Sequence, residues 1–231
     1  MKNNSILVLF LFVSSFVIGQ NTSENNEVVI DTIADLENND LIVLDSTTFK
    51  KTAEMLDEDV YWNIVENSSK ETDNLEDQEL FLISEIQKLS PKEMIGFRLR
   101  TDQLLFDNYS SSLWCAAYII NGDSSNDGFD YFRCWIISRG KEVYYKAKSD
   151  PDSLLKEIIK DKKSYEFESF WYVAMSAFTN ATGQDLYSYI DYDNFVTNDE
   201  NYPLLTFDWN IDDPKTIEKT CPILYQQLWK R

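Results

Sequence analysis

Most of the chemistry this sequence could perform falls in one short stretch, S-S-N-D-G-F-D-Y-F-R-C-W, Ser124 to Trp135. It holds Asp127, Asp130 and Arg133. Two carboxylates beside a guanidinium could bind or polarise a small polar ligand in a cleft, as in a carboxylate-based hydrolase. The same residues admit a structural account. Asp130 lies three residues before Arg133, so on a helix the two share a face and pair. An arginine among aromatics is rarely buried without such a partner. Asp127, or an acid of the preceding helix, could complete the pair.

The loop entering this stretch offers a second chemistry. Asp123, Ser125 and Asp127 place oxygen side chains at the first, third and fifth positions, with Gly128 at the sixth, as a helix–loop–helix calcium loop does. The pattern then departs from that template. Its twelfth position is Cys134 instead of a bidentate glutamate, and its eighth is Asp130 where an apolar residue belongs. An unrelated calcium site built from these oxygens is one reading. The other is that Ser125 or Asp127 caps a helix beginning near Gly128.

The three cysteines are Cys115, Cys134 and Cys221. Cys115 and Cys134 stand equally far from the loop's midpoint, so across an antiparallel hairpin they could form a disulfide. Alternatively both are small buried residues. Cys221 would then be a leftover thiol or pair with one of the others. Histidine is absent. That excludes triads with a histidine base, two-histidine zinc motifs and an imidazole pH switch.

The elements that must position these groups read as helices. L-W-C-A-A-Y-I-I, Leu113 to Ile120, is apolar throughout and Phe129 to Ile137 nearly so, which makes a buried helical hairpin around the polar loop. Upstream, Asp57 or Asp59 can cap a helix through Val60, Trp62 and Ile64. A second helix over about 74–89 puts Leu75, Leu82, Ile86 and Leu89 on one stripe. Ser90-Pro91-Lys92-Glu93 is a capping box with proline at the first helical position, and opens a third helix. Downstream, Gly140 bends the chain, and Ser149-Asp150-Pro151-Asp152 starts a helix predicted to run through Ile159. The next helix is predicted over about 165–182, with Gly183 as its left-handed cap. Residues Gln184 to Asp213 hold eight acids, no base and seven aromatics. This is an irregular acidic-aromatic tail whose rings pack on the domain or grip a cationic partner. The spacing also predicts a last helical turn over Pro222 to Trp229.

On the run L-W-C-A-A-Y-I-I-N-G, then D-G-F-D-Y-F-R-C-W-I-I-S-R-G-K-E-V-Y and D-P-D-S-L, the chain resembles a bacterial family, domain of unknown function 4240. The likeness extends to Y-W-N-I-V-E (Tyr61 to Glu66), L-S-P-K-E-M-I-G-F (Leu89 to Phe97) and W-Y-V-A-M-S-A-F (Trp171 to Phe178). It covers about 55–183 and implies fold and motif only, with no activity, cofactor or catalytic residue. In that family the loop reads Gly-Gly-Cys-Ser-Asp-Asp-Gly. Here Asp123 replaces a glycine, Ser124 the cysteine and Asn126 an aspartate, so part of any thiol or two-carboxylate apparatus is missing.

The chain has 231 residues, 40 acids against 21 lysines and arginines, and a net charge of −19. Such acidity argues against a nucleic-acid ligand, which asks for a basic face, and favours a basic or cationic partner. Residues 1–19 begin with Lys2 and continue in an apolar run from Ile6 to Ile18 ending in Gly19. That is the form of a secretory signal peptide; an uncleaved anchor is the alternative. The run falls short of the ~20 residues a bilayer span takes. Residues 20–54 read as an acidic linker or docking segment.

The expected organisation is therefore mainly α. A single compact helical domain (55–183) is built around a buried helical hairpin, and a C-terminal extension (184–231) packs on it. The expected role is that of an exported acidic binding module against a basic partner, inhibitor-like or immunity-like. The alternatives are a hydrolase at Asp127, Asp130 and Arg133, or a calcium-stabilised envelope module.

Overall fold

The computed structural model describes residues 41–45, 49–122, 125–195, 197 and 201–229. The signal-peptide reading of 1–19 and most of the linker lie outside them, as does Asp123 of the calcium reading. Among the described residues the chain is helical and holds no strand. No helix there is long and apolar enough to cross a membrane.

Local capping chemistry sets most helix starts. The Asp57 carboxylate accepts from the N–H groups of Asp59 and Val60, opening α1 (Glu58–Glu71). Asn74 caps α2 (Leu75–Ile86). Ser90 and Glu93 close the predicted capping box on α3 (Pro91–Asp107). Ser110 caps α4 (Ser111–Asn121), and Ser125 accepts from the Gly128 N–H at 3.1 Å to open α5 (Asn126–Ser138). Leu113 through Ile119 and Phe132 through Ser138 are buried without a break, as expected of a central hairpin.

The arms of that hairpin face different neighbours. α5 lies against α1, α3 and α6 (Lys141–Ser149), whereas α4 turns toward α8 (Pro214–Thr220) and α9 (Pro222–Leu228). α7 (Val173–Thr182) closes the other side against α2 and α3, and Gly183 ends it at φ 68°, the left-handed cap predicted for it. Gly96 is where α3 meets the entering chain. Its carbonyl accepts from the Leu56 N–H at 2.9 Å, and a methyl group on it would meet that nitrogen at 2.7 Å.

Several expectations are corrected. The helix after Asp150 does not run through Ile159; it is a short 3-10 helix, Pro151–Glu157, and Ile159 is exposed. The Tyr165 hydroxyl captures the chain there, accepting from the Ile159 N–H at 2.7 Å and donating to its carbonyl at 3.0 Å. The helix predicted from 165 begins late. Tyr165 is held by Asn121, and the Phe167 N–H donates to the Tyr131 carbonyl, so this stretch stays extended before a 3-10 turn at Glu168–Tyr172. α6 follows Gly140, where a simple bend was expected, and α8 is a helix in the stretch between the tail read as irregular and the predicted last turn.

Part of the segment read as a linker docks through its backbone. Ile42 N–H donates to the Ala181 carbonyl, and Thr52 exchanges hydrogen bonds with Tyr189 and Asp191. Several rings of the tail lie against the helices. Trp209 stacks on Tyr118, Phe207 meets Trp114 edge-on, and Tyr202 lies 4.7 Å from Tyr109.

Candidate functional site

Arg133 is fully buried on α5. Its Nη2 pairs with the Asp130 carboxylate, and its Nη1 donates to the Leu105 carbonyl and, at 3.3 Å, to the Tyr202 hydroxyl. Three rings surround the guanidinium: Phe129, Tyr109 and Tyr202, with centroids 4.9, 5.1 and 5.2 Å from Cζ. Burial opposes the charge. The oxygens of Tyr202 and Asp130 outweigh it and hold the guanidinium above its ordinary pKa. Nε is buried without a hydrogen-bond partner.

Of the three candidate residues, the fold brings Asp130 and Arg133 together and leaves Asp127 exposed in the first turn of α5. A ligand would have to displace aromatic rings to reach the guanidinium. What this cluster does is fix α5 against α3 and hold Tyr202 of the tail. In the loop, the Ser125 oxygen is engaged as a cap. Among the described residues no group of three or more acids or cysteines is placed to hold a metal ion.

A second arginine repeats the arrangement on α3. Arg98 is buried and bonds Asp102 through two nitrogens at 3.0 and 2.9 Å, and the Trp171 carbonyl at 2.8 Å. Its guanidinium lies between the rings of Trp171 and Tyr187, at 5.3 and 5.5 Å. The Arg98–Asp102 spacing of four was the available signal for a pair on one helical face.

Asp152 of the D-P-D-S-L run is a third docking group. It is nearly buried, and its carboxylate accepts from the N–H groups of Leu224 at 2.8 Å and Ile223 at 3.1 Å. These are first-turn donors of α9, whose own N-cap residue, Cys221, supplies no side-chain bond. A distant carboxylate thus does the capping that serine or aspartate does locally elsewhere.

The cysteines do not meet as the hairpin symmetry suggested. All three are free thiols and buried. Cys115 points to the Ile217 carbonyl of α8, because α4 turns that face to the C-terminal helices. Cys134 sits on α5 near Arg133 and Arg98, its thiol pushed up to about 12 by burial.

A family model for a protein of unknown function (DUF4240) matches residues 56–180. This chain belongs to that family. No curated protein and no solved structure matches it. The DUF4240 segment carries Arg133, Arg98, Asp152 and Cys115. The groups they hold include Tyr202, Tyr187, the N-terminus of α9 and Ile217, all beyond residue 180. In this chain, then, these residues of the matched segment hold the C-terminal extension.

Proposed function

We propose that this chain is an exported, non-catalytic interaction module that takes a basic partner on the acidic outer side of its C-terminal extension, in the manner of an inhibitor or immunity protein. One observation carries the reading: the extension buries some of its rings and turns its carboxylates outward. Asp185, Asp193, Asp208, Asp212 and Asp213 are exposed, while Trp209 and Phe195 are buried. No lysine or arginine occurs between Ser164 and Pro214. The ion pairs between described residues that involve lysine all lie between Glu54 and Lys148, on the other part of the chain. An uncompensated carboxylate surface steers cations by long-range attraction. The guanidinium that a hydrolase would need is enclosed by three rings, which favours the binding role.

The test is titration of the full chain with poly-L-lysine at rising salt. Asp193→Asn/Asp208→Asn/Asp212→Asn is compared with a control, Glu71→Gln/Asp73→Asn/Glu76→Gln, which removes equal charge from the α1–α2 region. The tail triple is expected to weaken binding about tenfold at low salt, at roughly half a kcal/mol per charge. The control should lose less than about twofold, and both differences should fade as salt rises. Equal losses in the two triples would reduce the surface to general acidity and sink the assignment to the extension.

A further inference from the structure

Two thiols 106 residues apart in sequence meet across the seam that joins the C-terminal helices to the core. Cys115 belongs to α4, and Cys221 stands at the junction of α8 and α9. Their contacts are reciprocal. The Cys115 thiol points to the Ile217 carbonyl at 3.9 Å, the same oxygen that accepts the Cys221 N–H at 3.0 Å. The Cys221 thiol points back to the Ser112 carbonyl on α4, at 3.6 Å. Each sulfur therefore touches the other cysteine's side of the seam. Both residues are fully buried.

We propose that Cys115 and Cys221 form a disulfide that staples α8 and α9 to α4, with Cys134 remaining a free buried thiol. The oxidant is a disulfide, either a small one such as oxidised glutathione or one carried by a dithiol oxidase. The thiolate of one cysteine attacks an oxidant sulfur and forms a mixed disulfide, releasing the first oxidant thiol. The second thiolate then attacks the protein sulfur of that mixed disulfide and releases the other. One S–S bond forms and one breaks. Two protons leave the protein thiols, and two electrons end on the oxidant, now two thiols. Exchange takes place before α8 and α9 dock, because docking seals both sulfurs and the Cys115 contact with burial holds the Cys221 thiol protonated. Once formed, the bond is shielded from reductants. The pairing stands on this seam and is independent of what the acidic extension binds.

The full chain is refolded with oxidised and reduced glutathione, alkylated under denaturing conditions, digested without reduction and mapped by mass spectrometry. A peptide linked through Cys115 and Cys221 is expected, with Cys134 alkylated. The link should survive Cys134→Ser and vanish in Cys221→Ser. Reduction should lower Tm by about 10 °C, the scale for a closed loop of this length in a domain of this size. A Cys115–Cys134 link would overturn the proposal. So would three alkylated thiols in the folded, oxidised chain, or a reduced form that melts where the oxidised form does. If Cys221→Ser fails to fold, the map of Cys134→Ser decides between the two pairings.

Discussion

If the Asp130–Arg133 pair is architecture, removing the acid must cost more than removing both partners. Arg133 is fully buried and its carboxylate partner is about a quarter exposed, at 25% of its side-chain surface. Asp130→Ala leaves a buried guanidinium with the Leu105 carbonyl and the Tyr202 hydroxyl as its remaining polar partners. Breaking a buried pair from one side costs ~3–5 kcal/mol. The solvent at Asp130 puts this case at the lower end, about 3 kcal/mol. Asp130→Ala/Arg133→Met removes the stranded charge and keeps an unbranched chain among Tyr109, Phe129 and Tyr202. It forfeits the bond to Leu105 and cation–ring attraction of ~2 kcal/mol, and relieves a desolvation penalty of several kcal/mol. The double variant is therefore expected to be more stable than Asp130→Ala by about 1 kcal/mol or more. Urea unfolding followed by tryptophan fluorescence and circular dichroism gives the three free energies, provided the slopes agree. A double variant no more stable than Asp130→Ala, or an Asp130→Ala variant as stable as the parent, would refute the reasoning. A stable Asp130→Ala variant would return the acid to the list of ligand-binding candidates.

Asp152→Ala should cost about 2 kcal/mol, because two first-turn donors of α9 lose their shared acceptor inside the protein. Hydrogen exchange is the check: protection should fall over 214–228 and persist over α3 and α7, and uniform loss would contradict a local capping role. Glu58 has its pKa lowered by the Tyr145 hydroxyl against partial burial, with help from Trp62 and Lys141. A depressed carboxyl contributes stability that is complete above its unfolded value, 4.5 here, and is lost as pH falls through the folded value. The Tm gap between the parent and Glu58→Gln should then hold steady above about pH 5.5 and close below 4.5; a gap that ignores pH would count against the interaction.

Local chemistry was legible in the sequence, and partners distant along the chain were not. Asp57, Ser90 and Asp150 announced their helices because a cap bonds residues two or three positions away. The continuous apolar runs of α4 and α5 marked the centre of the core for the same reason. The Pro151 helix was overextended because its stop is the Tyr165 hydroxyl at Ile159, a contact that no helical period encodes. α8 was missed because only Ile217 of its seven residues is buried, too little to set a stripe. The Asp130–Arg133 pair could be read from its spacing, whereas the rings that close over it come from Tyr109 and Tyr202. Of the two readings of Cys115 and Cys134, two buried thiols hold; the hairpin pairing assumes that the two arms turn those positions toward each other. α4 instead faces helices about a hundred residues later.

The same geometry locates where a functional surface can lie. Arg133 reaches Tyr202, Arg98 lies against Tyr187, Asp152 caps α9 and Cys115 meets the α8–α9 junction. Each belongs to the matched family segment, and each acts on a group outside it. A chain ending at Gly183 would leave the Asp152 carboxylate without its two donors and strip a ring from each arginine, so the extension completes the core instead of decorating it. Groups committed to that seam are not available to a substrate. Polar groups free to meet another molecule are those the seam leaves outside, and between Gln184 and Asp213 the charged ones are all carboxylates. In this way the buried rings, Phe195 and Trp209, and the outward acids are one arrangement: the rings anchor the segment, and the anchoring holds its charge toward solvent.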